Sequence, residues 1–62
     1  MNEQELIASA YEDAIKKLYA VLFDSFVQAS GGADEEQQAE ENFRIGVAKA
    51  RHARERALQL LG

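Results

Sequence analysis

Residues 28–36 have the sequence QASGGADEE and divide the 62-residue chain into two segments of nearly equal length. The glycines at 31 and 32 form its only adjacent glycine pair, and the chain contains no proline. Because each flanking segment repeats its apolar residues at steps of three and four, the pattern predicts one long helix on each side of the pair. A connection this short makes the two helices antiparallel. The sequence therefore predicts an all-α fold, a single helical hairpin domain that occupies residues 1–62.

Capping residues set the expected ends of both helices. Asn2 is a favourable N-cap for the first helix, with Glu5 three residues later as the reciprocal partner of a capping box. Asp34 and Gln37 repeat this arrangement in the second segment, and Gly31 suits the left-handed conformation that often ends a helix. We therefore expect helix 1 at about residues 3–30, a turn at 31–34 and helix 2 at about 35–60.

Large side chains of helix 1 are expected to meet small residues of helix 2. If the chain folds back about residue 32, residues face each other when their numbers add to roughly 64. A glycine inside a helix costs about 1 kcal/mol relative to alanine, so Gly46 favours a close approach of the two helices. The expected pairs are Leu18 with Gly46, Ala14 with Ala50, and Tyr11 with Ala53.

Helix 1 carries more apolar surface than one partner helix covers. A chain this short buries too little surface to be more than marginally stable alone, and without cysteine it forms no disulfide, so self-association is the expected source of further stability. We predict a homodimer in which two hairpins form a four-helix bundle. An amphipathic helix of another protein is the alternative cover. The sequence leaves open whether the two turns lie at the same or at opposite ends. The expected interface residues are Tyr19, Leu22, Phe23, Phe26 and Val27.

Charge is distributed unevenly along the chain, whose formal net charge is −4. Residues 1–41 carry ten acids and two bases, whereas residues 42–62 carry five bases and one acid. Such a basic segment is compatible with nucleic-acid binding. The favoured interpretation is structural, because cations stabilise a helix C-terminus and the hairpin places this segment beside Glu5, Glu12 and Asp13 of helix 1. The candidate nucleic-acid contacts are Arg44, Lys49, Arg51, Arg54 and Arg56.

In length and hairpin plan, with a short turn and alternating small and large core positions, the chain resembles the Rop-type regulators of plasmid copy number. Those proteins are small dimeric four-helix bundles that hold paired RNA loops on one face. The resemblance implies an RNA-binding regulator that uses the basic half of helix 2. It is a likeness of architecture, and it transfers no functional residue to this chain.

The residue inventory favours a binding protein over an enzyme. Cysteine is absent, there is no glycine-rich phosphate loop, and the single histidine, His52, lies opposite the apolar stripe of helix 2. We expect no catalytic activity, no cofactor, no metal, no signal peptide and no membrane span, and hence a cytoplasmic protein. The leading hypothesis is a small homodimeric interaction module that acts as an adaptor or regulator by protein binding. A purely structural subunit of a larger assembly is the remaining alternative.

Overall fold

A computed structural model describes residues 2–62 of the chain. Helix α1 (Glu3–Ala29) and helix α2 (Ala33–Leu61) contain 27 and 29 residues and pack against each other. Residues 2–62 contain no strand. The predicted all-helical hairpin is therefore confirmed, with α1 ending one residue earlier than expected and α2 extending further at both ends.

Asn2 caps the N-terminus of α1, as predicted. Asn2 has an extended backbone, and its side-chain Oδ1 accepts a hydrogen bond of 2.8 Å from the Glu5 N–H. The Asn2 carbonyl accepts from the Leu6 N–H at 3.1 Å and so begins the helical hydrogen-bond series. Glu3 and Glu5 place negative charge in the first turn, where it stabilises the helix dipole.

Two consecutive left-handed residues make the turn. Ser30 has φ 50° and Gly31 has φ 84°, and these are the positive φ angles of the described chain. The Gly32 N–H donates to the Ala29 carbonyl at 2.9 Å, which satisfies one of the last carbonyls of α1. The chain thus reverses within three residues. Gly31 adopts the left-handed conformation predicted for it, and Ser30 adopts it as well.

Because the turn is so short, α2 begins two residues earlier than predicted. Gly32 is the N-cap of α2, without a side-chain hydrogen bond, and its carbonyl accepts from the Glu36 N–H at 3.0 Å. The prediction of Asp34 as the cap is therefore wrong. Asp34 lies instead within the first helical turn with Glu35 and Glu36, where its charge still favours the helix dipole.

The two helices approach each other closely at the predicted position. A Cβ atom at Gly46 would lie only 2.5 Å from Cδ2 of Leu18, a distance that real Cβ contacts do not show. The Leu18 side chain therefore occupies the space that any larger residue at 46 would need. This confirms that Leu18 faces Gly46 and fixes the register of the hairpin.

The hairpin forms a single layer of helices with two broad faces. Its Cα positions extend over 45 × 18 × 7 Å, and the smallest dimension is that of one helix layer. Only Ala29 and Ala39 are buried among residues 2–62. The seam between the helices is thus lined by half-buried side chains, because no second layer covers either face.

Candidate interaction surface

The two broad faces differ in the size of their side chains. One face, the alanine face, is a shallow groove with small residues at its base. The opposite face, the aromatic face, has two adjoining grooves that share Phe43, Val47 and Arg51 of α2. On the α1 side these grooves are bounded by Ile15 and Leu22. The alanine face is formed by Ile7, Ala10, Ala14, Ala50, Ala53 and Ala57, with Tyr11 and Arg54 at its border.

An apolar ridge on α1 borders the aromatic face. Ile15, Tyr19, Leu22 and Phe26 follow one another at steps of four, three and four, so they lie along one side of the helix. Tyr19 is 61% exposed, whereas Leu22 and Phe26 are half-buried. Phe23 lies directly beside this row and is 57% exposed. We define the aromatic ridge as Tyr19, Leu22, Phe23 and Phe26.

Val27, the fifth predicted interface residue, lies at the margin of the ridge. It follows Phe23 by one turn and is 61% exposed. At about 100° per residue it points further from α2 than the other four residues do. The structure therefore brings four of the five predicted residues together and leaves Val27 at their outer edge.

The aromatic face includes residues that the sequence analysis did not assign to the interface. Phe43 and Val47 of α2 both line the grooves of this face. Counted at about 100° per residue, Phe43 and Val47 both lie on the same side of Gly46 around α2. Their spacing of four residues, one turn of α2, was the available signal.

Other large apolar side chains are exposed away from the aromatic face. Val21 is 62% exposed and lies on the side of α1 opposite Phe23, at about 160° from it. Leu6 and Leu61 lie together at the open end of the hairpin, where the helix termini meet.

Three of the five candidate nucleic-acid contacts are engaged within the chain. Arg44 donates to Glu41 one turn earlier at 2.8 Å, and Arg56 donates to the Gln59 side chain. The Arg54 guanidinium lies over the Tyr11 ring, 4.4 Å from its centroid, in a cation–π contact between the helices.

The basic residues do not form one patch on the hairpin. Arg44 and Arg51 share the groove of the aromatic face. Lys49 and Arg56 are also seven residues apart, but they lie about 140° further around α2. A single basic surface would therefore require a second copy to supply the missing charges, and the RNA-binding alternative stays a prediction.

Comparison with protein-family models, with curated proteins and with solved structures finds no match to the chain.

The expected ion pairs between the helices do not form. Across residues 2–62, the only ion pair with an N–O distance within 4.0 Å is Arg44 with Glu41, and both belong to α2. Glu5, Glu12 and Asp13 are exposed and make no such pair. An exposed ion pair stabilises the fold by at most about 1 kcal/mol and costs side-chain entropy. Arg54 accordingly packs on the Tyr11 ring and forms no ion pair with the acids of α1.

The described residues contain no group of three histidine, cysteine, aspartate or glutamate side chains placed to hold a metal ion. His52 is exposed on α2. Over residues 2–62, neither helix combines the length and the apolar character that crossing a membrane requires. The aromatic face is therefore the main candidate for an interaction surface within residues 2–62.

Proposed function

We propose that this protein is a helical interaction module, an adaptor or regulator that acts by protein binding and works as a homodimer. Two hairpins meet through their aromatic faces and form a four-helix bundle. One observation carries the proposal: no side chain larger than alanine is buried in residues 2–62, while Tyr19 and Phe23 are more than half exposed on one face.

The energetics of apolar burial favour a second copy as the cover. Burying an exposed large apolar side chain contributes about 1.5–3 kcal/mol. In a two-fold symmetric dimer the same patch serves both subunits, so each ridge residue contributes twice. The lack of a buried core makes a single hairpin marginal, and a second layer supplies the core that it lacks.

The alanine face remains free in this arrangement. Its groove is apolar, and its small side chains allow another helix to approach closely. An amphipathic helix of a target protein fits such a groove, since apolar residues at steps of three and four would lie along it. Binding of a target helix there, on the outside of the dimer, is the protein-binding activity that we propose.

Paired substitutions on α1 test the dimer. Phe23→Glu places a charge on the aromatic ridge, and we expect the molar mass to fall from twice 6.9 kDa to 6.9 kDa, with loss of helicity. Val21→Glu is the matched control. Val21 lies on the same helix with nearly the same exposure but on the other side, and its substitution should leave the mass unchanged.

Light scattering coupled to gel filtration measures the mass, and circular dichroism measures the helicity. If Phe23→Glu keeps both the mass and the stability of the wild type, Phe23 faces solvent and the proposed interface is wrong.

A further inference from the structure

We infer that the two hairpins pair with their turns at opposite ends, so that the turn of each copy lies beside the open end of the other. The inference rests on the proposed homodimer and specifies how its second copy is oriented. Charge, apolar fit and register each support this orientation.

Charge separates along the length of the hairpin. The turn half, residues 18–46, carries six acids and one base, for a formal charge of −5. The open half, residues 2–17 and 47–62, carries five acids and six bases, for a formal charge of +1. Packing with both turns at one end would bring two strongly negative halves within about one Debye length, roughly 10 Å, of each other. Opposite ends place each negative half beside the more positive one.

Apolar fit favours the same orientation. Phe23 and Phe26 lie in the turn half, whereas the groove bounded by Tyr11 and Ile15 lies nearer the open end of the same face. When one copy is turned end to end, its α1 stacks on α1 of the other copy. Phe23 and Phe26 then cover Ile15 and Tyr11 of the second copy, so that the aromatic faces of the two copies pack against each other.

The alternative orientation produces a poorer contact. With both turns at one end, α1 of one copy stacks on α2 of the other at the same level. Because Leu18 lies level with Gly46, Phe23 and Phe26 then lie level with residues 41 and 38, beside the part of the aromatic face that Glu40, Phe43 and Arg44 line. Phe43 offers an apolar contact there, but the charged groups of Glu40 and Arg44 would be partly buried under the two aromatic rings, at a cost in desolvation.

When the turns lie at opposite ends, one axial alignment of the two copies gives favourable contacts both between the α1 helices and between the α2 helices. If Phe26 stacks level with Tyr11 on α1, the Leu18–Gly46 register of the hairpin brings Glu40 level with Arg51 on α2. Glu40 and Arg51 both line the aromatic face. Two opposite-charge pairs therefore form at the rim of the dimer, one at each end of the contact.

Pulsed electron paramagnetic resonance on single nitroxide labels distinguishes the two orientations. The chain has no cysteine, so Ser30→Cys gives one label at the turn of each copy. We expect a distance between the two turn labels of about 35 Å, because the helical rise is 1.5 Å per residue and this register separates the two turns by about 23 residues. Turns at the same end would give a distance below about 20 Å, since packed helices lie 8–10 Å apart.

A second label reports association independently of orientation. Ala20→Cys lies on the exposed outer side of α1, near the middle of the hairpin, and gives a dipolar signal in either kind of dimer. A short turn-to-turn distance would overturn the orientation alone. The absence of a dipolar signal from both labels, with a mass of 6.9 kDa, would overturn the proposed dimer and the orientation together.

Discussion

At Gly46, the missing side chain determines how closely the two helices approach. The glycine costs helix propensity, and Leu18 occupies the space above it. Glycine is required at 31 for a different reason: a Cβ atom there would meet nothing within 4 Å, but the backbone has φ 84°. One glycine is thus required for space and the other for backbone conformation.

Substitution of Gly46 tests the close approach. We expect Gly46→Leu to lower the free energy of unfolding by more than about 2 kcal/mol through overpacking, although leucine has the better helix propensity. Urea denaturation at one fixed protein concentration measures the change. Ala20→Leu, on the exposed side of α1, is the control and should change stability by less than about 0.5 kcal/mol. A neutral or stabilising Gly46→Leu would show that the helices do not touch there.

The cation–π contact between Arg54 and Tyr11 connects the open ends of the helices. A double-mutant cycle with Arg54→Gln and Tyr11→Leu should give a coupling free energy of about 0.5–1 kcal/mol. Thermal or urea unfolding of the four proteins measures it. A coupling of zero would mean that Arg54 is held by its stem and not by the ring.

At the scale of elements, the sequence predicts the helices better than the turn. Apolar residues at steps of three and four fix both helices, and the Asn2 cap and the Leu18–Gly46 contact follow from residue type and spacing. The start of α2 was predicted two residues too late because Ser30 already adopts the left-handed conformation and so shortens the turn. Residue type does not predict this, since serine rarely adopts a left-handed backbone.

The candidate site was predictable only on one helix. The surplus apolar surface of α1 predicts the aromatic ridge, of which Tyr19 and Phe23 are more than half exposed while Leu22 and Phe26 are half-buried. The contribution of Phe43 and Val47 depends on which side of the Gly46 contact they occupy, and this is set by packing in three dimensions.

The turn provides a test at this scale. Gly31→Ala should lower the free energy of unfolding by about 1–2 kcal/mol, because a left-handed backbone is strained for alanine even where there is room for its side chain. Ser30→Gly should have the opposite sign or no effect, since glycine adopts φ 50° without strain. Equal destabilisation by both substitutions would contradict the left-handed turn.

At the scale of the whole molecule, a layer only 7 Å thick in its Cα positions cannot enclose large side chains. In the proposed dimer, two copies stacked through their aromatic faces would gain a second layer and a core between them. The separation of charge between the turn half and the open half would then orient one copy on the other. Folding of the hairpin and its dimerisation are therefore expected to be coupled.

Sedimentation equilibrium over a dilution series, with helicity followed on the same samples, tests this coupling most directly. We predict a species of twice 6.9 kDa at concentrations on the order of tens of micromolar, which loses helicity as dilution dissociates it. A fully helical species of 6.9 kDa throughout the series would contradict the account.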